Sequence, residues 1–331
     1  MRFSSIGDII LTTPVLESLK WAHPDSEIHF LTLEPFSEIL VGNPHVSRIL
    51  RISRDTNAVG LRRLAHTLKE SGYSAYVDCH NSLRSRVLRG YLRSHTWFVY
   101  RKPRLDRFLL FNLHINRFPR GYDAPSEYAK LFDHEIADRP PGRPRLYISS
   151  AEKRKSRRFL EDRGVAGEFI ALIPGASWRT KEWLPSRYIE LANGLVKDEG
   201  IPVVILGGPG DPICDEISRS VPDAVNLKGK TGLRESLAIL ACARAAIGSD
   251  TGLTHGAEAV DTPVVMLLGP TSRETGAWVR HPRSMAITTQ PWCQPCSKNG
   301  SRPCYRKERI CMRDIDPRRV FSSLKKVMAQ A

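Results

Sequence analysis

Three short stretches place side chains that could handle an anion or a proton. In "SSIGDIILTTP", residues 4–14, a small-residue turn follows a β-like start at Met1 to Phe3 and leads into an apolar run. Turns of this kind present bare backbone N–H groups to an anion, yet this one carries a carboxylate, Asp8, where a phosphate would be repelled. In "PGASWRTKEW", Lys181 lies in a loop or first helical turn after a strand ending at Ile173, with Ser177 and Thr180 nearby. A lysine there offers a point charge to a phosphate, and the hydroxyls and turn N–H groups add donors. The plainer alternative is a surface lysine in a solvated turn. In "GSDTGLTHGAEAV", a helix from about Leu253 aims its N-terminal dipole beyond Gly252. Thr251 and His255 can donate hydrogen bonds to a diphosphate, while Asp250 can accept from sugar hydroxyls or cap the helix.

Four of the seven cysteines fall in "WCQPCSKNGSRPCYRKERICM", namely Cys293, Cys296, Cys304 and Cys311. C-x-x-C followed by two more cysteines is a possible metal-ligand spacing. The second pair is spaced unlike a zinc ribbon, so free or redox-labile thiols are the competing reading. Cys79, Cys214 and Cys242 fall within or beside structural elements and read as inert packing residues. Neither half opens on G-x-G-x-x-G, and no P-loop or nucleophile elbow occurs, which counts against dinucleotide, P-loop and hydrolase chemistry.

Strands alternating with helices must position these groups. In the first half "EIHFLTL" and "YSAYVDCH" read as strands, and "LRRLAHTLKESG" as a helix closed by glycine. A further helix is expected from about Pro14, with Val15, Leu16 and Leu19 on one stripe. "DRPPGRPRLYIS", residues 138–149, is the linker candidate. Beyond it "EFIALIPGAS", "IPVVILGGPGD", "AAIGSDTG" and "PVVMLLGPT" each run from a strand into a glycine-containing turn. "PSRYIELANGLVKDEG" and "GLRESLAILACAR" are helices. The pattern predicts an α/β protein with parallel sheets covered on both faces, and ligands gather at the carboxyl ends of such strands. Two such domains facing each other would form a cleft.

At 331 residues two domains are expected. With 41% hydrophobic and 26% charged residues the chain reads as globular, not disordered. Its apolar runs are strand-sized and no signal peptide is visible, so a cytoplasmic protein is expected. The net charge of +15 calls for an anionic partner: nucleic acid, an acidic membrane surface or a phosphorylated glycolipid. The charge concentrates between Arg84 and Arg120, where ten basic residues meet a lone Asp106 and are interleaved with Tyr91, Trp97, Phe98, Tyr100, Phe108 and Phe111.

The ordered set "SSIGDIILTTPVLESLK", "DCHNSLRS", "PGASWRTKEWLP", "LGGPGD", "GSDTGLTHGAEAVDTPVVMLLGPT" and "CQPCSKNGSRPCYRKERICM" resembles glycosyltransferase family 9, the lipopolysaccharide heptosyltransferases, across nearly the whole chain. The cysteine-bearing tail looks most like the heptosyltransferase II branch. The resemblance implies a GT-B fold of two Rossmann-like domains: an acceptor-side domain over 1–148, a nucleotide-sugar domain over 149–315, and a C-terminal helix over 316–331 packing back on the first. It implies inverting transfer of heptose from ADP-heptose to an inner-core sugar, with no cofactor and no catalytic metal. Asp8 matches the acid of the family's S-x-G-D turn, proposed as general base; Lys181 matches the lysine on the donor diphosphate. Asp250, Thr251, Gly252 and His255 match its D-T-G-x-x-H, which holds the donor, with Ser177 as a further donor contact. Relatives usually carry several apolar residues before the equivalent of Arg2. The first strand is therefore expected to be stunted here, through a misassigned start codon or a tolerated shortening.

The base and the diphosphate anchors then serve opposite partners, which explains an acid in the first turn. The basic aromatic segment becomes a surface for the acceptor's anionic groups or for the inner membrane that holds it. The competing readings are a nucleotide-sugar epimerase of similar fold and, in another class, a basic nucleic-acid-binding protein. The basic residues match no nucleic-acid module, so no nucleic acid is expected among the partners.

Overall fold

The computed structural model describes residues 1–132, 136, 141–306 and 308–329. Residues 138–140 of the expected linker, and the last two of the expected C-terminal helix, lie outside them. The chain divides into two compact units, one of Met1–Arg104 with Asp123–Pro144, the other of Leu105–Tyr122 with Arg145–Ala331. The division at Pro144 falls inside the expected linker, four residues short of the expected boundary, and the excursion Leu105–Tyr122 belongs with the second unit.

In the first unit β1 (His29–Leu33) pairs in parallel with β2 (Arg48–Ile52), and β3 (Ala75–Asp78) with β4 (Thr96–Val99). Met1 to Phe3 bridges the two ribbons. The Arg2 N–H donates to Leu31 O at 3.1 Å and the Leu33 N–H to Phe3 O at 3.3 Å, while on the other side the Cys79 N–H reaches Met1 O at 3.1 Å. This segment is thus threaded between β1 and β3. Beside it lies an apolar cavity of about 180 Å³ lined by Met1, Leu16, Leu31, Leu68, Val77 and Trp97 among others. The small-residue turn of the opening motif is a five-residue helix, α1 (Ile6–Ile10), entered through Ser5; α2 (Thr13–Ala22) follows, with proline in its first turn as expected. This unit also holds α3 (Ala58–Glu70), α4 (Leu83–Tyr91) and α6 (Ala124–Ala129), while α5 (Arg104–Leu113) carries the chain into the excursion.

Among the described residues the second unit holds one sheet in the order β10-β9-β8-β5-β6-β7, every pair parallel. Its strands are β5 (Ile170–Ile173), β6 (Val203–Ile205), β7 (Val225–Asn226), β8 (Ala245–Ser249), β9 (Val264–Leu267) and β10 (Met285–Ile287). β5, β6, β8 and β9 are buried along their whole length, which is why their sequences are continuous apolar runs without alternation. Around the sheet are α7 (Ser150–Glu161), α8 (Pro185–Asn193), α9 (Pro212–Ser220), α10 (Leu233–Leu240), α11 (Gly252–Ala259), α12 (Ile310–Arg313) and α13 (Pro317–Ala329). The apolar stripe of α13 is spent inside this unit. Val320, Leu324 and Val327 are fully buried in the same core as Trp183, Tyr188 and Val265, whereas the family resemblance implied that the helix over 316–331 packs back on the first domain.

α7 starts on a capping box, Ser149 accepting from the Glu152 N–H and Glu152 from the Ser149 N–H at 2.8 Å. Arg234 of α10 locks this start by donating to Glu152 through Nε at 2.7 Å and Nη2 at 3.0 Å. The Arg234 hydrogen bonds, with those from Ser149, outweigh burial and hold Glu152 down to about 2 from an ordinary 4.5. A carboxyl depressed on folding contributes stability above its unfolded pKa, and that contribution is lost as pH falls through the folded one. Glu152→Gln should therefore flatten the fall in stability between pH 4.5 and 2, read as urea midpoints at stepped pH. An unchanged slope would dismiss the Arg234 lock as a stabilising contact.

Candidate active site

Between β5 and β8 the sheet order reverses direction, and open α/β sheets bind ligands at such a switch point, beyond the strands' carboxyl ends. Ile173 at the end of β5 is in register with Gly248 near the end of β8. β5 leads into a single 3₁₀ turn, Arg179–Lys181, and β8 leads through Asp250 and Thr251 into α11. The two loops singled out in the sequence are therefore neighbours.

Asp250 is the meeting point. Lys181 Nζ lies 2.6 Å from its Oδ2, His255 Nε2 lies 3.0 Å from Oδ1, and Thr271 Oγ1, just past β9, donates to Oδ2 at 2.9 Å. Burial pushes this carboxyl up, but the Lys181 charge and the His255 contact hold it far below the ordinary carboxylate range. The open choice between sugar acceptor and helix cap resolves against the cap: Thr251 is the N-cap of α11, its Oγ1 accepting from the Thr254 N–H at 3.4 Å. The Gly252 and Leu253 N–H groups head the helix, where an α-helix has no partners of its own to offer. Gly248 permits the close approach of helix to sheet, because a Cβ there would sit 2.7 Å from Thr254 Oγ1 and 2.9 Å from Ile173 O.

Lys181 is braced from behind. The cysteine-bearing loop passes over it so closely that a Cβ on Gly300, whose φ is +88°, would lie 2.7 Å from the lysine's Cγ and Cδ. Thr180 Oγ1 donates to Gly300 O, and Ser297 Oγ accepts from the Gly300 N–H at 2.9 Å. Cys296 and Ser297 both donate their N–H to Pro270 O at 3.1 Å, next to Thr271. Two residues beyond the lysine, Trp183 is fully buried and donates Nε1 to Ile315 O at 3.2 Å, which anchors the "TKEW" turn in the core. Thr271, Ser297 and Gly300 were not singled out in the sequence; the glycine-turn signal of "LLGPT" was there for the first, and nothing local marks the other two. Ser177 stands exposed in the bend before Arg179, apart from the carboxylate network. Cys293, Cys296, Cys304 and Cys311 are free thiols. Burial, then the neighbouring cysteines, pushes Cys311 up to about 12. Among the described residues no three His, Cys, Asp or Glu side chains are arranged to hold a metal ion.

Asp8 belongs to the other unit. It sits in the first turn of α1, and one of its oxygens takes every contact found: Oδ2 accepts from the Ser5 N–H at 3.2 Å, from Ser5 Oγ at 2.9 Å and from Arg2 Nη2 at 2.6 Å. Oδ1 makes no hydrogen bond among the described residues, and the side chain is 36% exposed. Arg2 is itself clamped, its Nε donating to Ser4 O and its Nη1 to Cys79 O, both at 2.7 Å, with Tyr128 Oη 3.4 Å away. Burial pushes the Asp8 carboxyl up, but Arg2 and Ser5 outweigh it and hold the group below its ordinary value. Three groups beside the pair, His80, Cys79 and Tyr128, are neutral at neutral pH. Burial, with Arg2 and Lys102, pushes His80 down to about 4, and burial pushes the Cys79 thiol and the Tyr128 phenol up. His80 Nδ1 accepts from the Phe3 N–H at 3.1 Å, so its proton is on Nε2. Asp78, two residues before His80, is answered by Arg89 at 3.2 Å. His80 lies inside the quoted "DCHNSLRS" and Arg2 just before "SSIGDIILTTP", but neither was read as part of a site.

The profile of glycosyltransferase family 9 (heptosyltransferase) matches residues 61–305, well over half of the chain. The chain is 28% identical over 289 residues to lipooligosaccharide heptosyltransferase 2 of Haemophilus influenzae, covering 81% of this chain and 82% of that protein. It is 28% identical over 363 residues to lipopolysaccharide heptosyltransferase 1 of Pseudomonas aeruginosa, covering 99% and 97%. The solved Escherichia coli ADP-heptose lps heptosyltransferase II superposes with a TM-score of 0.76 at 22% identity, covering 100% of this chain and 99% of that one, and shares its GT-B fold. The chain is a glycosyltransferase and belongs to glycosyltransferase family 9.

Proposed function

We propose that this glycosyltransferase moves heptose from ADP-heptose to an inner-core sugar of lipopolysaccharide, inverting the anomeric carbon, at the cytoplasmic face of the inner membrane. The observation that carries the donor half is the cluster at the β5/β8 switch point. A braced lysine beside a helix N-terminus suits the diphosphate of a nucleotide sugar. The choice of heptose and of lipopolysaccharide is supported by what the curated relatives transfer and modify, and the choice of ADP by an Escherichia coli heptosyltransferase solved with ADP. Among the described residues no helix is long and apolar enough to cross a membrane; in this reading the chain meets a membrane-held acceptor peripherally, through basic surface.

In this reading Asp8 Oδ1, the oxygen left open, takes the proton of the attacking acceptor hydroxyl as the anomeric carbon gains oxocarbenium character. Arg2 and Ser5 hold the other oxygen, fixing the carboxylate plane and keeping it ionised. His80 Nε2–H offers a neutral donor to the acceptor beside it. On the donor side Lys181 and the N–H groups heading α11 stabilise the negative charge that grows on departing ADP. Asp250 keeps Lys181 in place. Thr251 and His255 complete the wall, and Ser177 is a donor contact on the exposed bend.

Transfer is tested with a panel of nucleotide sugars against defined core oligosaccharides, followed by nucleoside diphosphate release. An altered nucleotide sugar formed without any acceptor would instead support an epimerase. Asp8→Asn should lower kcat by about 10²–10⁴-fold while leaving ADP-heptose affinity intact; near-normal turnover would remove the base from the scheme. Arg2→Met should shift the acid limb of the kcat/KM profile to higher pH, because the carboxylate loses the cation that keeps its pKa low, and Arg2→Lys should largely restore it. An acid limb that stays in place would reduce Arg2 to a structural residue. Lys181→Ala should weaken ADP binding about ten- to a hundredfold by calorimetry, the scale of a charged hydrogen bond, and unchanged affinity would exclude the diphosphate contact.

A further inference from the structure

The excursion through α5 carries its apolar residues on the wrong side for a solvated helix. Leu110 and Phe111 face inward and are buried, as a surface helix requires. The opposite face should be polar. Instead it presents Leu105, Phe108 and Leu113, all more than half exposed, followed by Ile115. Positions 105, 108 and 112 fall on one side of a 3.6-residue helix, so Leu105 and Phe108 form a stripe with Leu113 at its edge.

The stripe continues onto a neighbouring loop. His114 stands edge-on to Trp292 with centroids 5.8 Å apart, and Trp292 lies 6.2 Å from Tyr305. Trp292 is 69% exposed and Tyr305 61%. Arg306 lies over the Trp292 ring at 5.2 Å. Along the excursion positive charge predominates. Arg104, Arg107, Arg117 and Arg120 meet only Asp106 between residues 104 and 120, and that acid is answered by Arg117 at 3.8 Å. The surface is rigidly mounted: Arg302 donates to Phe111 O and to Asn112 Oδ1, both at 2.8 Å, and Asn116 donates to Glu274 at 2.8 Å.

We propose that the outward face of α5, with Trp292 and Tyr305, docks on an anionic lipid bilayer, its apolar side chains entering the headgroup boundary and its arginines meeting lipid phosphates. This deepens the membrane-held acceptor reading and rests on it. An apolar helix face rimmed by cations is the composition that lies in a bilayer interface, and tryptophan and tyrosine are the aromatics enriched there. A second copy of the chain fits poorly, because a two-fold contact through this face would bring arginines against arginines. Nucleic acid would leave the leucine and phenylalanine side chains without a partner.

Arg302 gives the docked helix a connection to the donor site. The loop that holds α5 at residue 302 is the loop that braces Lys181 at residue 300. A bilayer that fixes α5 therefore fixes the outer end of the Lys181 wall as well.

The test uses the full chain and vesicles of phosphatidylcholine with and without phosphatidylglycerol, in the absence of donor and acceptor. Sedimentation should show binding to the phosphatidylglycerol vesicles only, falling as salt is added. A Leu105→Ser/Phe108→Ser/Leu113→Ser variant should lose at least about tenfold in partition, since its three side chains supply the inserted area. Trp292→Ser should lose less, and Arg117→Ser/Arg120→Ser should flatten the salt dependence. These side chains are exposed, and the triple variant should keep the parent's turnover on a soluble core oligosaccharide. Equal partition of parent and triple variant overturns the proposal, as does a parent dimer that the triple variant abolishes while both bind vesicles alike. Because binding is read without substrates, loss of docking leaves heptosyl transfer standing, and failure to transfer heptose leaves the vesicle result intact.

Discussion

Much of the second unit is arranged around the burial of one carboxylate. An ionised acid removed from water is costly unless charge and hydrogen bonds replace the solvent. Asp250 finds replacements from three strand ends: Lys181 after β5, His255 on α11 after β8, and Thr271 after β9. That requirement fixes the 3₁₀ turn at Lys181, the start of α11 and the exit of β9 relative to one another. Removing one donor leaves a buried charge short of compensation, so the loops are constrained jointly. Gly248 and Gly300 follow from the same constraint, one letting α11 close on the sheet and the other letting the cysteine loop lie on the lysine stem.

The first unit is organised around a cation. Arg2 is buried between the two β-ribbons and sends its guanidinium to Ser4 O, Cys79 O and Asp8 at once. The strand residue that joins the ribbons is thereby also the residue that sets the orientation of Asp8. Local structure, sheet closure and site geometry pass through one side chain. A lysine could supply the charge but not three directed contacts in a plane.

The sequence made the strand ends legible, because buried parallel strands are unbroken apolar runs and their glycine turns mark where ligands gather. Lys181, Asp250, Thr251, Gly252 and His255 could be named on that basis and on the family's motifs, and the structure brings Lys181, Asp250 and His255 into contact. It was silent on partners distant in the chain. Thr271 looks like an ordinary turn threonine, Gly300 is one glycine in an irregular stretch, and Arg2 reads as one of many basic residues until its burial is seen. The five-residue helix at Ile6 was missed because a helix that short carries no periodic signal. The C-terminal helix was expected from the family resemblance, but that did not say which core its apolar side enters, and the structure places it with Trp183. The basic aromatic stretch was equally clear as composition, whereas the outward turn of Leu105, Phe108 and Leu113 depends on Leu110 and Phe111 taking the inner side.

Asp8 and Asp250 are both held below the ordinary carboxylate range, and a low pKa alone would make either a poor proton acceptor in the ground state. Their hydrogen bonding separates them. Asp250 has both oxygens engaged by donors that are themselves packed in place, so accepting a proton would mean breaking the cluster. Asp8 concentrates its contacts on Oδ2 and leaves Oδ1 open on a partly exposed side chain. In a transfer that loses its proton late, basicity toward a resting hydroxyl matters less than an oriented lone pair available when the hydroxyl becomes acidic. A carboxylate pinned by one oxygen fits that role. A carboxylate pinned by both fits the role of holding a lysine still.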